Sequence, residues 1–426
     1  MALAAAIPLR AQSSTPLDLV SALDRARRWS ASVRGARAAI EAARARERQS
    51  VAWSNPAVSW GREGTSRNGQ ANAQQIVQVE LPLDVTGARQ ARLRIAAIRR
   101  QAEERRLEGL LASVDHETSD ALLSAVAADV QVNAWANTRA TFERAVQIVG
   151  QRLAAGDVSG LAARRLRLEA ARMAGGAATS ASAARAARVH LATLLGLDPR
   201  AGDTLTLPVS LSGVLKQVTR ASSVLDGPLD SVVALAGRQR VEVQLALLDV
   251  ELSLAERALI ERERRPLPVV SAGAKVEKVA DATAGSLAGF RGLVAGVTIP
   301  LPLLDRRGAA VDATAADALR MRAATEEWRR RIGAEVREAA ASLEAARQHE
   351  AILAPHVGEE GVAALRAVDT AFAEGEASLL EWLDAVRAWH EATTAWNTLQ
   401  ADAARARLRL VRAAGIELLP STSSNR

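Results

Sequence analysis

Val79-Glu80-Leu81-Pro82-Leu83-Asp84 and Val297-Thr298-Ile299-Pro300-Leu301-Pro302-Leu303 repeat one pattern, 218 residues apart. Each closes an alternating run and is followed by a glycine, Gly87 or Gly308, and an Ala-rich helical stretch. A second echo pairs Ala155-Gly156-Asp157-Val158-Ser159 with Glu374-Gly375-Glu376-Ala377-Ser378. A repeat of this length is a duplicated domain rather than a solenoid unit. Each half joins a short strand pair to very long helices.

The strands follow from period-two alternation. Val58 and Trp60 oppose Ser59 and Gly61; Val77, Val79 and Leu81 oppose Gln78 and Glu80. In the second half, Val270, Ala272, Ala274 and Val276 alternate with Ser271, Gly273, Lys275 and Glu277. Leu293, Ala295, Val297, Ile299 and Leu301 alternate with Val294, Gly296 and Thr298. The predicted strands are about 57–63, 75–82, 268–278 and 292–301, with loops over Gly64–Ala73 and about 280–291.

Helices fill the rest. One is predicted from about Leu17 to Val51, stopped by Asn55-Pro56, because the residue before Pro is pushed out of the α region. From about Gly87 to Gly150 there is no Pro, which predicts a helix of roughly 95 Å. Gly156 breaks it, and a helix to Leu195 ends at Gly196-Leu197-Asp198-Pro199. In the second half a helix from about Ser231 to Arg264 ends at Arg265-Pro266, and long helices broken at Gly375 run to Gly415. The expected division is a signal remnant or disordered tail at 1–14, a first repeat at 15–198, a linker at 199–230, a second repeat at 231–415 and a disordered tail at 416–426.

Of the 426 residues, 49% are hydrophobic and 3% aromatic, with no Tyr, which suits long helices. The net charge of +7 is carried by Arg, since Lys occurs only at 216, 275 and 278. These Arg alternate with acids, as in Glu41-Ala42-Ala43-Arg44-Ala45-Arg46-Glu47, which reads as a solvated helix face and not a nucleic-acid surface. No Cys is present, so disulfides, thiolate metal sites and Cys nucleophiles are excluded. The start, with Leu9-Arg10-Ala11 resembling a cleavage site, lacks a basic n-region. No apolar run reaches the roughly 20 residues of a membrane helix. Membrane contact therefore falls to the strands, which approach the 9–11 residues a membrane strand needs. Four strands cannot close a membrane barrel, and open edges are forbidden in lipid. A barrel requires an oligomer, and a trimer supplies twelve strands. A soluble helical scaffold or periplasmic adaptor, with hairpins packed on helices, is the alternative.

In Asn55-Pro56-Ala57-Val58-Ser59, the two strand–helix turns, and the breaks at Gly156 and Glu374-Gly375-Glu376-Ala377-Ser378-Leu379-Leu380-Glu381-Trp382-Leu383-Asp384-Ala385, nearly the whole chain resembles the TolC-type outer-membrane factor family. The first segment looks closest to its CzcC-like heavy-metal efflux branch. The resemblance implies a mainly α fold with a small β part, a trimeric 12-stranded outer-membrane barrel, and a helical periplasmic tunnel. It implies a passive efflux conduit, with an inner-membrane pump and a periplasmic adaptor as partners and outer-membrane lipid around the barrel. It also implies departures. Aromatic girdles are reduced to Trp53, Trp60 and Phe290, and the entrance latch positions look like Leu161, Ala162, Ala377 and Phe372.

Glu381 and Asp384 share a helix face by their spacing of three. By resemblance they form an acidic ring at the tunnel mouth, of the kind that favours cations. Gly156, Asp157, Ser159, Gly375, Glu376 and Ser378 form the helix-hairpin tips, which the resemblance makes adaptor-docking points. Pro82, Pro300 and Pro302 mark the strand–helix turns. Trp382, Trp389 and Trp396 recur every seven residues as a packing seam. Asp115-His116-Glu117 offers metal-ligand types, but no His pair has the i, i+4 spacing of a helical zinc site. No catalytic residue, cofactor site or metal site is assigned, and the chain reads as a non-enzyme.

Overall fold

The computed structural model describes residues 17–67, 70–211, 213, 214, 216, 225, 227–280 and 287–418. The expected signal remnant at 1–14, most of the tail at 416–426, and parts of the linker and of the 280–291 loop lie outside them.

The elements are α1 (Leu19–Trp29), α2 (Ala31–Ser50), β1 (Ala57–Arg67), β2 (Gln70–Pro82), α3 (Ala88–Ala155), α4 (Gly160–Leu194) and a 3-10 turn (Pro199–Thr204). They continue with α5 (Leu229–Gln239), α6 (Val241–Glu263), β3 (Val269–Ala280), β4 (Leu287–Thr298), α7 (Gly308–Val357), α8 (Glu359–Glu374) and α9 (Leu379–Ala414). The fold is mainly helical, with one antiparallel sheet in the order β1-β2-β3-β4. Pairing of β2 with β3 joins the hairpins of the two repeats edge to edge.

Several expected boundaries are corrected. The single helix over 17–51 is two, because the Ser30 hydroxyl leaves the helical pattern and accepts from the Val33 N–H at 3.3 Å, capping α2. The helix expected over 231–264 is likewise split at Arg240, whose backbone is extended. Arg240 Nη1 instead donates to the Arg412 and Ala413 carbonyls at the C-terminus of α9. A break at Gly358, three residues after the in-helix Pro355, separates α7 from α8. The expected loop over Gly64–Ala73 is mostly strand, with Gly64 facing Ala73 and Arg67 facing Gln70. Both faces are polar there, so alternation disappears although the ladder continues. For β4 the ladder begins at Leu287, again ahead of the apolar alternation.

The chain forms two compact units, and each draws on both repeats. One comprises 1–34, 108–241 and 329–426; the other comprises 35–107 and 242–328. In the first, Leu23, Leu122, Leu123, Val126, Leu191, Leu195, Leu408 and Val411 build one core, while Phe142, Leu166, Phe372, Trp382 and Leu383 build another. Arg27 clasps Asp115 through two nitrogens, Nε at 2.7 Å, which raises the Arg27 pKa by hydrogen bonding and leaves Asp115 spent as an ion-pair partner. The second unit holds the sheet and a smaller cluster around Ile95, Ile98 and Ala255. Among the described residues, no helix is long and apolar enough to cross a membrane.

Candidate functional site

The sheet has two chemically distinct faces. The register aligns Val58, Val79, Ala272 and Ala295 in one row and Trp60, Val77, Ala274 and Leu293 in the next. These apolar rows are open to solvent: Trp60 is 65% exposed and Leu293 94%. On the opposite face, Ser59, Gln78, Gly273 and Val294 form one row, and Ala57, Glu80, Ser271 and Gly296 another. In β2 the face of Gln78 and Glu80 is the sheltered one: Gln74, Ile76, Gln78 and Glu80 are half-buried, while Gln75, Val77 and Val79 are exposed. In β2 and β3 the polar face is thus the more sheltered one. That face is internally bonded, with Gln78 donating to Glu80 at 2.9 Å and Lys275 paired with Glu277 at 2.8 Å. Gly273 permits the close approach of β2, since a Cβ there would sit 2.2 Å from the Val77 carbonyl oxygen.

An apolar outside and a polar inside reverse the arrangement of a water-soluble hairpin. Burying an open apolar face of this kind is worth about 25 cal/mol per Å². Both edges, β1 and β4, carry unpaired backbone groups.

The three turn prolines come together. Pro82, Pro300 and Pro302 line one cleft with Asp84, Arg92 and Arg264. Asp84 caps α3, accepting from the Arg89 N–H at 2.7 Å and from Thr86, and those hydrogen bonds help hold its carboxyl below the usual range against its burial. Gly87 sits at φ 75°, and its carbonyl accepts from Arg262 at 2.6 Å. In the second turn the residue before the helix is Arg307, with φ 52°, and the glycine that matches Gly87, Gly308, opens α7. Arg307 pairs with Glu263, and Arg264 Nε donates to the Arg306 carbonyl at 2.7 Å. Trp53 lies under the Arg89 guanidinium at 4.7 Å.

The helix-hairpin tips form two separate turns. Gly156 and Gly375 take left-handed φ values of 87° and 90°, the conformation a helix reversal asks of its C-terminal residue. The Asp157 N–H reaches the Arg152 carbonyl at 2.9 Å, and the Glu376 N–H the Ala371 carbonyl at 2.8 Å. Ser159 and Ser378 cap the following helices. At the second tip Glu381 completes a capping box. Its Oε2 accepts from the Ser378 N–H and hydroxyl, and the backbone bond comes first among the causes that hold its pKa below the usual range.

Glu381 and Asp384 are both exposed on one face of α9, with Trp382, Leu383 and Val386 buried behind them. Phe372 is 3% exposed and stacked on Trp382, 5.1 Å between ring centres, so in the chain it is a core residue. Trp382 Nε1 donates to Asp369 at 2.8 Å, which suits the packing seam. Leu161 is exposed. Among the described residues, no group of three or more His, Asp or Glu side chains is placed to hold a metal.

Two features near the tips had no place in the sequence reading. Arg152 of α3 donates to the Ala373 carbonyl at the end of α8 at 2.9 Å, tying the two tips. Arg387 of α9 pairs with Glu169 of α4. Both are long-range and leave no local signal. The capping box does leave one, the Ser-x-x-Glu of Ser378-Leu379-Leu380-Glu381.

Residues 233–416, less than half the chain, match the Outer membrane efflux protein family. No curated protein matches. Among solved structures, the outer-membrane channel OprN is 20% identical, with a TM-score of 0.71 over 94% of this chain and 90% of that one. The outer membrane protein VceC from Vibrio cholerae is 16% identical, with a TM-score of 0.71 over 94% and 97%. The CmeC outer membrane channel of Campylobacter jejuni is 16% identical, with a TM-score of 0.70 over 99% and 93%. At these identities the likeness establishes the fold, which is that of the TolC-family outer membrane efflux proteins.

Proposed function

We propose that the chain is the outer-membrane channel of an efflux system: a passive export conduit, assembled as a trimer, spanning the outer membrane and extending into the periplasm. The observation that carries this is the four-stranded sheet with its exposed apolar face, more sheltered polar face and two open edges. Backbone edges cannot stand in lipid, so the sheet must close on other copies. Three chains give twelve strands, within the range of membrane barrels. The fold likeness supports the same reading, as does the family match over residues 233–416.

In this reading β1 of one subunit pairs with β4 of the next, the polar face lines the bore, and the long helices continue it as a tunnel. The tips at Gly156–Ser159 and Gly375–Ser378 dock a periplasmic adaptor, which links the channel to an inner-membrane pump. Glu381 and Asp384 from three chains ring the entrance and favour cations. Heavy-metal cations are the cargo supported by the Asn55-Pro56-Ala57-Val58-Ser59 resemblance and by this ring.

The test is mass measurement of the protein extracted from membranes, followed by planar-bilayer recording. A trimer that needs detergent and conducts cations preferentially is the expected result. A monomer released without detergent would select the soluble periplasmic scaffold instead.

A further inference from the structure

Charge on the sheet is sorted by face. The register puts every acidic residue of the described strands, Glu63, Glu80 and Glu277, on the polar face. The exposed face carries only cations, and only towards the hairpin ends. Arg62 and Arg291 fall in one row, Arg62–Gln75–Val276–Arg291, immediately beyond the apolar rows. Lys278 falls in the next row, opposite Gly289. All three side chains are exposed, and among the described residues none has an ion-pair partner.

Lys278 and Arg291 are diagonal neighbours on adjacent strands, about 7–8 Å apart. Like charges this close, with no carboxylate of the described strands on their face, repel, and an anion between them relieves the repulsion. Their position identifies the anion. An Arg facing hydrocarbon is costly at mid-membrane, and the cost nearly vanishes near the interface. The Arg62–Arg291 row therefore belongs at the level of the lipid headgroups, where phosphate is the available anion.

We propose that Arg62, Lys278 and Arg291 form a basic rim that binds the phosphates of an anionic membrane lipid at the hairpin end of the barrel. This rests on the membrane-barrel reading. There, β1 of one subunit lies beside β4 of the next, so Arg62 and Arg291, both on edge strands, lie at the subunit seam. A lipid carrying two phosphates can engage cations from both subunits. Arg forms paired charge-assisted hydrogen bonds to phosphate, and Lys acts as a point charge.

The experiment compares the full-length protein with the Arg62→Gln/Lys278→Gln/Arg291→Gln variant, both delipidated in neutral detergent. Native mass spectrometry follows titration with diphosphoryl lipid A and with the same lipid after dephosphorylation. The wild type should prefer the phosphorylated lipid by about tenfold, the scale of one charge-assisted hydrogen bond. The triple variant should lose that preference, and Arg62→Lys/Arg291→Lys should keep most of it. A preference surviving in the triple variant, or absent from the wild type, overturns the proposal. So does full competition by equimolar inorganic phosphate, which would indicate a free-anion site. Retention of the wild type in carbonate-washed vesicles is measured in parallel. Failure to remain there sinks the barrel reading itself, whereas an inserted protein with no phosphate preference sinks only the lipid rim.

Discussion

The Glu381 carboxylate accepts two hydrogen bonds from Ser378, at 2.8 Å from its backbone N–H and 2.8 Å from its hydroxyl. The Ser378 hydroxyl accepts in turn from the Glu381 N–H at 3.3 Å. The acid proposed for the entrance ring is therefore first a helix cap. Its orientation is fixed by the turn it closes, so the charge it offers to a passing cation is held in place.

Removing the cap should be measurable without touching the charge. Ser378→Ala is expected to cost about 1 kcal/mol, the usual worth of a lost N-cap. Amide exchange should speed up in the first turn of α9 and stay unchanged in α4. Equal exchange in both proteins would mean the box contributes nothing.

The same contact sets a pH dependence. The folded pKa of Glu381 is depressed by the Ser378 hydrogen bonds. The stabilisation is therefore present above the ordinary glutamate range and is lost as pH falls through the lowered folded value. An NMR titration of Glu381 should show the depression, and Ser378→Ala should shrink it. A midpoint at or above that of a free glutamate would contradict the assignment.

His390 works on the same side of the pH scale by a different cause. Burial lowers its pKa, with Nδ1 2.9 Å from the Thr138 hydroxyl and the Trp135 ring edge-on at 4.1 Å. A histidine buried neutral stabilises the fold above the ordinary histidine range, and that contribution is lost as pH falls below it. His116, also lowered chiefly by burial, adds with the same sign. His390→Gln should flatten the loss of thermal stability between about pH 7.5 and pH 5. An unchanged slope would assign the dependence to other groups.

The positive-φ glycines and the helical ones should respond oppositely to alanine. Gly375→Ala forces an L-residue into the left-handed region and should cost about 1–2 kcal/mol. Gly35→Ala, in α2 with open space at its Cβ, should gain about 0.5–1 kcal/mol. Denaturant midpoints of the two variants should fall on opposite sides of the wild type.

The strand faces supply a test of membrane placement. Val79→Arg, in the row of Val58, Ala272 and Ala295, should cost about 2–4 kcal/mol if that face meets lipid. Gln78→Arg, on the polar face, should be far milder. Comparable yields of folded, membrane-inserted protein from both would place the apolar face outside the bilayer.

The strands and their faces were legible because Val77, Val79 and Ala272 alternate with Gln78 and Gly273. Where both faces turn polar, beyond Gly64, the pairing is held by backbone hydrogen bonds that leave no mark on residue type. The breaks at Ser30 and Arg240 were illegible for another reason. Neither residue opposes a helix strongly, and each is committed by a partner: Ser30 by the Val33 N–H, Arg240 by carbonyls 172 and 173 residues away. The tips were legible through Gly156 and Gly375. Their fastening was not, since Arg152 and the Ala373 carbonyl are 221 residues apart. Division into two units was equally hidden, because helices such as α3 contribute to both.

Arg307 holds at φ 52° the turn that Gly87 makes at φ 75°. Both halves keep a glycine there, Gly87 and Gly308, but the left-handed residue falls one position earlier in the second. The contacts of Arg264 with the Arg306 carbonyl and of Glu263 with Arg307 now fix the second turn by other means. Once neighbours determine a turn, its left-handed position can shift by one residue while the backbone path persists. Kinship between such halves is better measured by superposing their turns than by counting identical residues.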